Sequence, residues 1–301
     1  MTQVTQDNER ARPAVICREI QGGDLEAVAA VLSRGFPGRP HDYWLRGLNR
    51  EKVRAIPYGF PRYGYMLESN GRAVGAILVL YSLTTQGGQP AVICNVGSWY
   101  VDSAFRGQGP RLLRAALSRK DVTYTGTTPV STTWSYVERL GFKPYCRGLF
   151  FSLPFLSGVE PSASVAYVAP DSPLIPGLSH DEWDILVEHA KYGCVSLVCR
   201  TPSQGAEPFV FVPFRIRQGR IPLPAMQLVY SRSIESYRHC AGAIGRKLLM
   251  RGRPVVILSA NAAVPGLWGV YTAKRGRKYS RGPHIPALND LTNTEFVLFG
   301  F

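Results

Sequence analysis

The residues with the clearest chemical potential in this 301-residue chain lie in the run Arg106-Gly107-Gln108-Gly109-Pro110-Arg111. Two glycines let a backbone approach an anion closely, and Pro110 suits the first turn of a helix, where its missing N–H has no intrahelical partner to lose. The free N–H groups of such a helix start, aligned with its dipole, favour negative charge. Arg106 and Arg111 add guanidinium groups of the kind that pair with phosphate oxygens. The chemistry to expect is phosphate or pyrophosphate binding. A plain strand-to-helix connection is the alternative, because glycine-rich turns also recur without any ligand.

The flanking elements must hold that turn in place. An apolar strand carrying Trp99, Tyr100 and Val101 leads into it, and an amphipathic helix with Leu112, Leu113, Ala116 and Leu117 on one face leads out. An extended segment, Val122–Thr127, comes next. A second helix then runs from Ser131, an N-cap residue, to the stop at Gly141-Phe142.

This order, with its Arg106-x-x-Gly109 turn and its Leu140-Gly141-Phe142 ending, resembles the acetyl-coenzyme A binding half of the GNAT superfamily of acyltransferases. The resemblance implies an α/β fold, a central mixed and mostly antiparallel sheet flanked by helices. It implies acetyl-CoA or another acyl-CoA as donor substrate, no metal, and a small-molecule or peptide amine as acceptor. Carried over by position, the coenzyme-binding residues are Trp99, Tyr100, Val101, Arg106, Gly107, Gln108, Gly109 and Arg111.

Two positions depart from the family pattern. Arg111 replaces a small residue, and it either reaches the phosphates as an added cation, the reading adopted here, or obstructs them. Val137 stands where many members place the tyrosine that protonates the leaving thiolate. Tyr136 precedes it by one residue, about 100° round a helix, and is expected to point elsewhere and pack. The proton donors to consider are therefore water, then Tyr100, then Tyr136, since a phenol with a pKa near 10 matches an alkyl thiol. As bases the strands offer only Glu68 and Asp102. In the family the segment after the first strand walls the acceptor site, which nominates His41, Asp42 and Tyr43.

The rest of the chain fits around this centre. Residues 14–155 read β-α-α-β-β-β-α-β-α-β, with Asn70-Gly71 as a hairpin signal and Lys143–Leu153 as the last strand. Residues 1–13 read as a solvated tail. Pro154–Pro176, with five prolines, reads as a connector, giving a linker over 156–178. Residues 179–301 are expected to form a degenerate second GNAT-like domain that shapes the acceptor cleft. In it, helices follow Ser179 and span Ile234–Arg251, strands lie at Val195–Cys199, Pro208–Ile216, Ala225–Tyr230 and Pro254–Ser259, and Glu295–Phe301 forms a terminal strand. Ser231-Arg232-Ser233-Ile234 takes the place of the glycine turn. The stretch Lys278–Pro283, followed by the terminal strand Glu295–Phe301, reads either as lining an acceptor cleft between the domains or as a plain basic hairpin.

Composition narrows the class further. With 45% apolar and 19% charged residues the chain is globular rather than disordered. No apolar run reaches the roughly 20 residues that span a membrane. Six cysteines without a Cys-x-x-Cys pair point to reduced thiols and a cytoplasmic protein rather than a zinc site. A net charge of +14 suits a polyanionic ligand, and it comes without the aromatic-interleaved basic pattern of a nucleic-acid binder. Oligomeric state has no sequence signal here. A non-catalytic GNAT-fold protein that binds acyl-CoA or another anion, in a regulatory or scaffold role, is the competing function.

Overall fold

The computed structural model describes residues 14–86, 88–217 and 222–300. The tail over 1–13 lies outside the described residues. Among the described residues, fourteen strands and seven α-helices form two layered units. In the first half, β1 (Val15–Glu19) is followed by α1 (Leu25–Gly35) and α2 (His41–Val53). The strands β2 (Gly64–Ser69), β3 (Arg72–Gln86) and β4 (Gln89–Val101) come next. Then follow α3 (Gly109–Ala116), β5 (Val122–Gly126), α4 (Trp134–Arg139), β6 (Lys143–Cys146) and β7 (Gly148–Ser152). The second half contains β8 (Ser164–Val168), α5 (His180–Lys191), β9 (Val195–Thr201), β10 (Gly205–Arg217), β11 (Pro222–Ser231), α6 (Ile234–Leu249) and β12 (Val255–Ala260). It closes with β13 (Gly269–Thr272), β14 (Lys278–Arg281) and α7 (Glu295–Leu298).

Local chemistry explains the boundaries. Asn70 and Gly71 both take positive φ, 50° and 72°, the primed-turn conformation that joins β2 to β3 with Ser69 opposite Arg72. Gly141, at φ 84°, ends the α4 region in the left-handed conformation. Ser179 caps α5 in a reciprocal box with Glu182, and Ser233 caps α6 through the Ser236 N–H.

Each sheet has seven strands, in the orders β1-β2-β3-β4-β5-β14-β6 and β13-β7-β12-β11-β10-β9-β8. Both contain one parallel pair, β4 with β5 and β11 with β12, and in both a helix (α3 or α6) makes the crossover. The two halves thus repeat one topology, with a reciprocal exchange. β7 leaves the first half to pair with β12 and β13, and β14 leaves the second half to pair between β5 and β6. The single strand expected over Lys143–Leu153 is therefore two strands in different sheets. Cys146 ends β6 and Arg147 separates it from β7, which runs on the other sheet. The expected 156–178 connector contains β8, the edge strand of the second sheet. Glu295–Phe301 is not a strand: Glu295–Leu298 is the helix α7, and residue 301 lies outside the described residues.

The cores follow from side-chain alternation along the central strands. Ala76, Leu78 and Leu80 point to one face, where they pack with Val28, Leu32 and Trp44 of α1 and α2. Ile77, Val79 and Tyr81 point to the other, beneath Leu112 and Ala116 of α3. The second unit buries Tyr237, Ala241 and Ile244 of α6 on Phe209 and Phe211.

Candidate active site

The site begins where β4 and β5 part. Their parallel pairing covers only Val92–Asn95 against Val122–Thr125, so beyond Asn95 the edge of β4 faces an opening. Buried Asn95 occupies that fork. Its amide donates to the carbonyl of Thr125 (3.2 Å) and to the hydroxyls of Thr125 and Thr127, while its oxygen accepts the backbone N–H of Glu295 at 2.8 Å.

Three residues further on, β4 bulges. Gly97 pairs with Leu78 and Tyr100 with Ala76, which leaves Ser98 and Trp99 opposite Ile77, with Ser98 at φ 44°. The extra residue fixes which side chains reach the opening. Trp99 and Val101 face α3, and Tyr100 faces α1, its ring lying against Gly35, where a Cβ would collide with it.

A cavity of about 440 Å³ runs through this gap. Arg39, Tyr43 and Trp44 line it on the side of α1 and α2, and Gly97 and Ser98 form the strand between. Trp99, Leu113, Tyr136 and Val137 line the opposite side. Glu295 reaches in from the second half of the chain: its carboxylate accepts from the Ser98 hydroxyl, and it lies so close over Gly97 that a Cβ there would displace it. Burial pushes the Glu295 carboxyl above the usual carboxylate range, against the pull of Ser98 and of the Arg39 charge. Burial, with the Glu295 charge nearby, pushes the Tyr43 phenol up to about 12.

α7 is anchored on α2. Tyr43 donates to the Gly300 carbonyl at 3.1 Å, Arg50 donates to the Leu298 carbonyl at 2.8 Å, and Phe299 packs where Gly47 has no side chain. On the other wall, β14 anchors α4: the Tyr279 hydroxyl donates to Glu138 at 2.9 Å and Arg281 to the Leu140 carbonyl.

The glycine turn is a 3₁₀ segment, Ser103–Gln108, that continues into α3 with Pro110 in the first turn. Gly107 is open, with nothing within 4 Å of where its Cβ would stand, and Gly109 lies under the Trp99 indole, 3.0 Å from that position. Arg106 is exposed and makes no ion pair among the described residues. Arg111 donates to the Val15 carbonyl (2.6 Å) and to the Gln108 side chain (3.2 Å), so in this structure both side chains are engaged with the chain itself. Trp99 and Tyr136 stack with centroids 5.7 Å apart, and the indole N–H of Trp99 is buried without a hydrogen-bond partner.

The structure thus separates the sequence candidates. Tyr136 lines the cavity beside Val137 instead of pointing away, its ring packed on Trp99. Tyr100 is on the other face, against Phe36. Glu68 is held by Arg18 at 2.7 Å and Asp102 by Arg34 at 2.8 Å, which occupies both sequence-nominated bases in ion pairs. His41 meets Glu26 at 3.4 Å, Asp42 is exposed, and only Tyr43 of that trio lines the cavity. Sequence reasoning missed Ser98 and Arg39, and it brought Glu295 to the acceptor cleft only as the start of a terminal strand, with no role of its own. Glu295 carries no local signal, since what places it is a contact about 200 residues away.

No protein-family model matches the chain, and no curated protein sequence matches it. Solved structures do. A GCN5-related N-acetyltransferase from Anabaena variabilis superposes with TM-score 0.57 at 10% identity, over 89% of this chain and 72% of that one. One from Kribbella flavida gives 0.56 at 15% identity, over 89% and 71%. A Pyrococcus horikoshii protein gives 0.54 at 15% identity, over 95% and 93%. The fold is the GNAT fold. Two seven-stranded units in tandem make up this GNAT-fold chain. Among the described residues no cluster of His, Cys, Asp or Glu is placed to hold a metal ion, and no helix is long and apolar enough to cross a membrane.

Proposed function

We propose that the protein is an acyl-coenzyme A dependent N-acyltransferase whose first unit binds the donor and whose second, degenerate GNAT-like unit closes the acceptor side. The observation that carries this is the cavity through the β4–β5 gap, with a carboxylate at its centre. Donor fit rests on what this chain leaves open: an unpaired strand edge after Asn95 for a pantetheine arm to pair with, the buried unpartnered N–H of Trp99, and the open backbone at Gly107. Those features suit a phosphorylated, amide-bearing substrate.

In this reading the amine enters from the α1–α2 side, beside the stacked pair of Arg39 and Tyr43. Glu295, oriented by Ser98 and Asn95, takes the ammonium proton, which frees the nitrogen lone pair for attack on the thioester carbon. Bulge backbone N–H groups near Ser98 polarise the carbonyl. The thiolate leaves toward Tyr136, whose hydroxyl or a water protonates it, and the second proton of the attacking nitrogen, shed as the amide forms, restores that donor. The six free cysteines suit a reducing, cytoplasmic setting. The competing reading, a coenzyme-binding protein without turnover, draws on Val137 at the family's acid position.

Two measurements decide between them: thermal stabilisation by coenzyme A, and thiol release from acetyl-CoA across a panel of amines. Stabilisation together with amine-dependent release is expected. Stabilisation without release for any amine favours the binding protein, and no stabilisation at all removes both.

A further inference from the structure

A second concavity, of about 1110 Å³, adjoins the transfer cavity. It lies between the α1–α2 connection and the second unit's β10, β11 and the turn after α6. Phe36 and Arg39 line both spaces. Four arginines line the larger one, Arg39, Arg215, Arg251 and Arg253, and no aspartate or glutamate does.

Their partners are neutral. Arg39 sits over the Tyr43 ring at 4.6 Å, Arg251 over the Tyr167 ring at 3.9 Å, and Arg253 donates to the Met226 sulfur at 3.0 Å. None of the four forms an ion pair among the described residues, whereas Arg18, Arg34, Arg54 and Arg232 all do. Cations gathered in a concave space repel one another and focus a positive potential, and a bound anion relieves both. Pro37, Pro213, Pro222 and Pro224 stiffen the walls, so the arginines stand on a preformed frame.

The groove is not placed for the donor's phosphates. It opens on the α1–α2 face of the first sheet, and the glycine turn opens α3 on the other. Building on the acyltransferase reading, we infer that the acceptor amine carries an anionic group, phosphate or carboxylate, held by Arg39, Arg215, Arg251 and Arg253 while its amine reaches Glu295.

The test is calorimetric titration into the full chain saturated with coenzyme A, which keeps the donor site filled. The probes are two matched pairs: glucosamine 6-phosphate against glucosamine, and 5-aminovalerate against pentylamine. The anionic member of at least one pair is expected to bind about tenfold more tightly or better, roughly 1.4 kcal/mol, and which pair responds tells phosphate from carboxylate. That advantage shrinks as salt rises. It disappears in the double variant Arg215→Ser, Arg251→Ser, with coenzyme A affinity and Tm unchanged. Equal affinity within both pairs, with coenzyme A bound normally, overturns the groove and leaves the acyltransferase reading standing. Weaker coenzyme A binding in the double variant assigns the arginines to the donor and also overturns it. A native chain that binds no coenzyme A overturns both readings together.

Discussion

Replacing Glu295 by Gln tests the proposed proton acceptor with little disturbance to the fold. The backbone N–H that Asn95 accepts is untouched, and a Gln carbonyl oxygen still accepts from Ser98. Only the ability to take a proton is lost. A positioned base contributes about 10²–10⁴-fold to rate, so thiol release should fall by that factor while the KM for acetyl-CoA stays constant. The pH dependence gives an independent readout. Burial raises the folded-state pKa of Glu295 above its unfolded value, so between those two values the native chain binds more protons than the unfolded one. Stability therefore falls as pH rises through that window, and the Gln variant, lacking this slope, gains stability relative to wild type as pH rises. Over the same window wild-type kcat/KM climbs as Glu295 ionises, and the variant's does not. Measuring thiol release with the best amine of the panel, alongside Tm against pH, checks both. A variant within about threefold of wild-type rate, with the rising pH limb retained, refutes the assignment.

Three further outcomes are expected. Gly107→Val fills the open space at the turn, and it should weaken coenzyme A by about a hundredfold or more, near 3 kcal/mol, at unchanged Tm; equal affinity by calorimetry refutes an anion site there. Tyr136→Phe should slow thiol release at unchanged coenzyme A affinity if the phenol is the proton donor, whereas Tyr100→Phe, with its ring on the other face, should leave the rate alone; the reverse pattern contradicts the geometry. Arg54→Leu strands the Glu51 carboxylate, which is 1% exposed and paired at 2.7 Å, and should cost about 3–5 kcal/mol by urea unfolding at neutral pH, less at a pH low enough to protonate Glu51.

What was legible in the sequence is what local chemistry dictates. The Asn70-Gly71 hairpin, the Ser179 cap, the helix from Ile234 and the glycine turn all follow from a few adjacent residues, and the structure contains each of them. The GNAT fold class was legible too, because the order of elements in the first half is itself a pattern. The position of Tyr136 was not. Counting residues back from Gly141 separates Tyr136 from Val137 by about 100°, but the cavity wall is wide enough to take in both, and Tyr136 is drawn to it by its stack on Trp99, a residue of another element. Glu68 and Asp102 read as free carboxylates because their arginine partners, Arg18 and Arg34, come from other elements.

The exchange of β7 and β14 is the part no local signal could give, and it explains why the site is shared between the halves. A strand's sheet is chosen by which edge accepts its backbone groups and buries its side chains, and in the sequence Lys278–Ser280 fit a cleft lining or a plain basic hairpin equally well. In place, all three are buried between β5 and β6, and Tyr279 holds α4 through Glu138. Fourteen residues after β14 ends at Arg281, the same chain returns to lay Glu295 across Gly97. The second half thus supplies one wall's anchor and the central carboxylate, while the first supplies the glycine turn, the bulge and the arginine at the acceptor mouth. Separating the halves within 156–178 would strip each sheet of an interior strand, β14 from one and β7 from the other. The cavity can therefore form only when both halves fold together, which makes the second unit part of the candidate site even though Ser231–Ile234 offers no glycine turn of its own.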